Sequence, residues 1–286
     1  MTTTMNLILQ SLSANQSTLH RIAALAHSQH VIDIAPGVLR CVDLPATENL
    51  GTIKEKVEAA AFQEQIDVCW KNSEQNLNDF KLLAMDMDST LITIECIDEI
   101  ADMHGLKREV SAITESAMRG EIAFPESLTR RVALLKGLPA SALQRVYDER
   151  LKFSPGAEKL LHTVQAAGIK TLLVSGGFTF FTDRVMASLN LDFSHSNRLE
   201  IVDGELTGRV IGNIVDADEK RRTVERTCIQ LGISPSQTIV MGDGANDLAM
   251  MGIAGLSVAF RAKPVVRKQA SVALNFVGLD GLLNIL

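Results

Sequence analysis

Aromatic residues are scarce in this chain: one tryptophan, one tyrosine and ten phenylalanines stand among 286 residues. Trp70 and Tyr147 are therefore isolated and read as packing residues. Cysteine is scarce too. Cys41, Cys69, Cys96 and Cys228 are scattered, with no C-x-x-C pair, which argues against a disulfide framework and for reduced core thiols of a cytoplasmic protein. The six histidines are equally dispersed, so a zinc site has no support. Positive charge is not in excess. The net charge is −6, divided as −4 over the first 80 residues and −2 over the rest, which excludes the basic surface that a nucleic-acid backbone requires. No apolar run approaches the ~18 residues of a membrane span, and the first residues lack the positive stretch of a secretory signal. Nothing matches G-x-x-x-x-G-K-[ST], and Gly242-x-Gly244-x-x-Asp247 lacks the last glycine of a dinucleotide fingerprint.

What is present is ample core material, with 46% hydrophobic and 22% charged residues, in a length that suits two domains. Apolar spacing predicts a strand at 5–10, a helix at 16–28, strands at 31–34 and 38–42 around Pro36-Gly37, a helix at 48–65 and a strand at 66–70. This β-α-β-β-α-β order is the ferredoxin-like pattern. We assign it to residues 1–72, followed by a polar linker at 73–80. From residue 81 the pattern changes. Apolar strands at 82–85, 169–174, 238–241 and 256–259 alternate with helices, which predicts an α/β domain with a Rossmann-like parallel sheet over 81–286. Helical patterns at 95–104, 107–119, 125–136 and 139–151 predict a bundle inserted at about 92–152 as a cap, and 156–167 predicts a helix of the sheet domain. Residues 201–203, Gly204 and 206–211 read as a hairpin with an Asp-Gly turn.

Chemistry in an open parallel sheet gathers beyond the carboxyl ends of its strands. Here the strands end in Asp86-Met-Asp88-Ser-Thr, in Ser175-Gly176-Gly177 and in Gly242-Asp243-Gly-Ala-Asn246-Asp247, with Lys220 on a helix before the last. One acidic turn of this kind is ordinary; three in order with a lysine between them point to a phosphate site. Several carboxylates at adjacent strand ends need a hard cation among them, and Mg2+ suits oxygen ligands. The expected ligands are the Asp86 and Asp243 side chains and the backbone carbonyl of Asp88. Asp86 would attack phosphorus as the nucleophile, and Asp88 would act as general acid and base. Ser175, Gly176 and Lys220 would bind the phosphate, with Asp247 orienting Lys220 from behind. Asp216 and Asp218 read as helix-capping residues.

These four ordered motifs resemble those of the haloacid dehalogenase superfamily of phosphohydrolases, over residues 81–286. The resemblance is closer to the branch that acts on O-phospho-L-serine, through the cap segment Met118-Arg-Gly-Glu-Ile-Ala-Phe124 and onward to Arg131. It implies a small-molecule substrate whose ammonium meets Glu95 and whose carboxylate meets Arg131, with Arg130 a nearby competitor. Met118 and Phe124 would close over the site, and Asn246 would help hold the phosphate. The N-terminal stretch resembles ACT-type regulatory domains, which leaves amino-acid sensing and dimerisation both open. The motifs do not separate water from an alcohol such as homoserine as phosphoryl acceptor. A silent amino-acid sensor is a further alternative, disfavoured because Asp86, Asp88, Lys220 and Asp243 are all intact.

Overall fold

The computed structural model describes residues 5–44, 49–72 and 75–286, apart from the side chains of Asn72 and Met118. The first unit comprises strand β1 (Met5–Gln10), helix α1 (Gln16–Ala24), strands β2 (His30–Ala35) and β3 (Val38–Leu44), helix α2 (Leu50–Gln63) and strand β4 (Asp67–Asn72). The four strands form an antiparallel sheet in the order β2-β3-β1-β4, the arrangement of a small ferredoxin-like unit. Leu7, Leu9, Leu39 and Cys41 point to one face, where Leu19, Ile22, Val57 and Ala61 of the two helices cover them. The start of the expected helix at 48 and residues 73–74 of the expected linker lie outside the described residues. Lys71, just beyond the expected strand at 66–70, belongs to β4, where it is buried and its Nζ donates to the Ile285 carbonyl at 2.9 Å.

The second sheet is built around β5 (Leu82–Met85). The chain then passes through helices α3 (Cys96–Met103), α4 (Lys107–Met118), α5 (Phe124–Leu134) and α6 (Ser141–Glu149) before α7 (Ala157–Ala166) returns it to the sheet. Strand β6 (Lys170–Phe178), helix α8 (Thr179–Leu189), strands β7 (Phe193–Val202) and β8 (Glu205–Ile211), and helix α9 (Ala217–Leu231) follow. Strand β9 (Thr238–Gly242), α10 (Leu248–Met251), β10 (Leu256–Phe260), α11 (Pro264–Gln269) and β11 (Val272–Leu274) complete it. The order is β11-β10-β9-β5-β6-β7-β8, parallel throughout except for the β7–β8 hairpin. β5 is buried on both faces because period two sends Leu83 and Met85 into one core and Leu82 and Ala84 into the other.

Two strands of this sheet run well beyond their expected extents. β6 continues through Ser175-Gly176-Gly177, which reads locally as a turn, because Phe178 pairs with Asn197 across a bulge in the β6–β7 ladder. β7 begins eight residues earlier than the expected 201, since the polar run Ser194-His-Ser-Asn197 interrupts its apolar alternation. The expected Asp-Gly turn is present, with Asp203 at φ 52 and Gly204 at φ 82, as a two-residue hairpin of the primed type requires. Pro125 occupies the second rather than the first helical position, after Ala123 as N-cap.

Candidate active site

The register of β5 decides the site. Met85 lies beside Leu173 of β6 and Met241 of β9, so Asp86 follows this level at once and Ser175 and Asp243 stand one residue further along their strands. Asp86, Asp243 and Asp247 each offer a carboxylate oxygen, and these oxygens lie within 4.8 Å of one another. Lys220, on the first turn of α9, is wholly buried and donates to Asp86 Oδ1 at 2.6 Å and Asp247 Oδ1 at 2.8 Å. The second Asp247 oxygen accepts the Gly244 N–H at 3.0 Å. Asp247 thus has both oxygens engaged by protein donors, the position expected of a residue that orients Lys220.

Electrostatics follow from this crowding. Burial, reinforced by Asp247, Asp88 and Asp243, drives Asp86 well above the ordinary carboxylate range, with Lys220 pulling against it. Burial raises Asp243 to about 6, with Asp247 adding to the rise. Burial also opposes the Lys220 charge, yet Asp247 and Asp86 together hold its pKa above the usual lysine value. A set of hard oxygen donors that repel one another in a buried site fits a divalent cation such as Mg2+.

Asp88 turns its carboxylate away from Lys220. Its Oδ1 accepts the Cys96 N–H at 2.9 Å at the start of α3, and its Oδ2 accepts the Ser175 hydroxyl at 3.3 Å. Burial nevertheless raises its pKa, which favours a carboxyl that can carry a proton. The close approach explains Gly177, where a Cβ would stand 2.5 Å from Asp88 Oδ2. Ser89 takes a left-handed turn at φ 57 and donates its hydroxyl to Glu95 Oε1 at 2.7 Å.

A cavity of about 690 Å³ joins these strand ends to the helical bundle. Asp86, Asp88, Gly176, Asp243 and Asn246 line it from the strand ends, and Glu95, Phe124 and Arg131 line it from the bundle. Phe124 leans over Gly176, its Cζ 3.0 Å from where a Cβ would be. Arg130 points away and pairs with Glu126 at 2.5 Å, which leaves Arg131 as the arginine that faces the cavity. Burial lowers the Arg131 pKa against the opposing pull of Asp98, Glu95 and Asp88. Burial and the nearby Asp88 raise Glu95 to about 8. The Met118 side chain lies outside what the structure describes.

Among the residues lining the cavity that were not legible in advance, two have an unused polar atom. Asp98 and Ser127 both line it, and the Asp98 Oδ1 and Ser127 Oγ atoms are buried without a hydrogen-bond partner. The available signal was spacing: Asp98 lies three residues after Glu95, and Phe124, Ser127 and Arg131 share one face of α5.

Residues 83–252 match the model of the haloacid dehalogenase-like hydrolases. A phosphoserine phosphatase of Polaromonas sp. is 60% identical over 214 residues, which cover 73% of this chain and 91% of that one. A solved HAD family hydrolase from Salmonella enterica superposes with a TM-score of 0.87 at 34% identity, over 98% of each chain. A phosphoserine phosphatase solved as a phospho-aspartyl intermediate analogue gives a TM-score of 0.68 at 37% identity, over 72% of this chain and 99% of that one. The chain belongs to the haloacid dehalogenase-like hydrolase family.

Proposed function

We propose that the chain hydrolyses O-phospho-L-serine to L-serine and phosphate through an aspartyl-phosphate on Asp86, with Mg2+ as cofactor. The carrying observation is that one cavity is lined by Asp86 from the strand ends and by Glu95 and Arg131 from the bundle. Its relatives named phosphoserine phosphatases, one of them a phospho-aspartyl analogue, support the same reading.

A carboxylate oxygen of Asp86 attacks phosphorus, and the bond from phosphorus to the serine oxygen breaks. Asp88 gives its proton to that oxygen, without which an alkoxide would be a poor leaving group. Asp88 then takes a proton from water, whose oxygen attacks phosphorus and frees Asp86. Lys220, paired with Asp86 and Asp247, keeps a fixed positive charge beside the reacting phosphate. Ser175 rotates its hydroxyl from Asp88 toward a phosphoryl oxygen, and the Gly176 N–H offers a second donor. Asp86, Asp243 and the Asp88 backbone carbonyl would hold the cation, which supplies charge neutralisation when bound. Asn246 steadies the phosphate end. Arg131 takes the substrate carboxylate as a two-pronged donor, Glu95 takes the ammonium, and Phe124 and Met118 shield the bound substrate from water.

Phosphate release from a panel of phosphomonoesters, with Mg2+ and with chelator, tests this. O-phospho-L-serine should exceed phosphothreonine and sugar phosphates, and chelator should abolish turnover; a sugar phosphate in first place would overturn the substrate.

The domain division at 72/73 and 80/81, with a cap at about 92–152, belongs to the same proposal. In its support, Thr93 N–H donates to the Lys152 carbonyl and Ser154 N–H to Leu91, both at 2.9 Å, where the bundle leaves and rejoins the sheet. We also place the chain in the cytoplasm as a homodimer formed through the N-terminal unit. Four buried free thiols support the compartment. The edge strand β2, with Ile32 and Ile34 exposed, supports the pairing. Ile32→Lys in the full chain should yield monomers in ultracentrifugation, and an unchanged mass would refute that interface.

A further inference from the structure

Asn197 lies on β7, outside all four motifs, yet only 1% of it is exposed and both ends of its amide are used. Its Nδ2 donates to the Gly176 carbonyl at 2.8 Å, and its Oδ1 accepts the Val215 N–H at 2.8 Å. One partner is an acceptor and the other a donor, so the amide has one orientation that satisfies both.

Each partner leads to a group at the phosphate end. The peptide joining Gly176 to Gly177 is held at both ends: Asn197 takes its carbonyl, and its N–H donates to Ser175 Oγ at 2.8 Å. Two glycines in succession give this bulged segment little conformational preference of its own, so side-chain hydrogen bonds help the β6–β7 pairing to set its path. Val215 immediately precedes Asp216, the N-cap of α9, whose Oδ1 accepts the Glu219 N–H at 2.9 Å. The Asp216 carbonyl accepts the Lys220 N–H at 2.9 Å. One buried side chain therefore ties the bulged segment that bears Ser175 to the helix start that bears Lys220.

We infer that Asn197 is a positioning residue that sets the phosphate end of the cavity by holding the bulged Ser175–Gly177 segment of β6 against the start of the Lys220 helix. This rests on the phosphatase reading above. It touches no substrate atom and acts through Gly176 and Val215. Being remote from Glu95 and Arg131 in its hydrogen bonding, it governs affinity for the phosphoryl group and leaves the amino-acid end alone.

Asn197→Asp keeps an acceptor for Val215 but loses the donor to Gly176, while Asn197→Ala loses both. Calorimetry in Mg2+ should show inorganic phosphate binding to both variants about tenfold to hundredfold more weakly. L-serine binding should stay within about threefold of wild type. Phosphate binding within about threefold in a folded variant, or equal losses for phosphate and serine, would overturn the inference. Wild-type protein supplies a readout that needs no variant. The Asn197 side-chain amide resonance should shift on titration with phosphate and stay still with L-serine, and no shift with phosphate also overturns it. Failure of the wild type to hydrolyse O-phospho-L-serine would instead sink the substrate assignment, and the phosphate measurements would still judge Asn197.

Discussion

The two ends of the cavity differ in how far their polar groups are already engaged. At the strand ends, Lys220 joins Asp86 and Asp247, Asp247 also holds Gly244, and Asp88 is held by Cys96 and Ser175. In the bundle, Ser127 Oγ and Asp98 Oδ1 have no partner, and Arg131 makes one long contact from Nε to the Ser127 carbonyl at 3.4 Å. The first arrangement is a largely pre-set electrostatic machine in which only the Ser175 hydroxyl has to turn as the phosphate arrives. The second holds unused hydrogen-bonding capacity, which a zwitterionic substrate would satisfy. An analogue lacking its carboxylate would leave these buried groups unpaired, and that penalty is what makes a polar pocket selective.

The sharpest way to break this contrast is at its reacting atom. Asp86→Asn should lower kcat by at least about a thousandfold on every phosphomonoester, because nucleophile and cation ligand are lost together. Single-turnover assays on O-phospho-L-serine and phenyl phosphate would check it. Next is Lys220→Met, which leaves Asp86 and Asp247 buried without their cation. A stability loss of about 3–5 kcal/mol is expected in the metal-free protein, measured by urea unfolding. Mg2+ should restore part of that loss, since it binds the folded carboxylates alone.

A smaller effect concerns pH. Glu95 is raised to about 8, so near neutral pH much of it is protonated and a poor partner for an ammonium. kcat/KM for O-phospho-L-serine should therefore climb as pH rises toward 8, and Glu95→Gln should flatten that climb while phenyl phosphate shows none. The sign for stability is the reverse. A carboxyl raised above its unfolded value costs stability as pH rises from the unfolded value, about 4.3, to about 8. Glu95→Gln should accordingly raise Tm at pH 9 and leave it unchanged at pH 4.

The same contrast explains what was legible. Asp86, Asp243 and Lys220 were readable because each stands at an element boundary whose position short-range apolar pattern reveals. Arg131 was not separable from Arg130 until α5 was set against β8 and the cavity, since neighbouring helix residues differ by only about 100° in direction. Asp98 and Ser127 look like any polar positions of an amphipathic helix, and only the facing wall shows that they point inward. Asn197 was invisible because it ends the polar run Ser194-His-Ser-Asn197, which also hid the strand. In the N-terminal unit the order of elements was legible. Burial of Lys71 and the capping of the Asn275, Phe276 and Val277 N–H groups by Asp67 were not, because their partners lie at the far end of the chain.

The most direct test of the division between chemistry and selection is one ratio: kcat/KM for O-phospho-L-serine over that for phenyl phosphate, compared between wild type and Arg131→Ala. The ratio should fall by about a hundredfold, carried by KM for the serine ester, with phenyl phosphate changed by no more than about threefold. Equal losses on both esters would show Arg131 to be structural and would contradict the account.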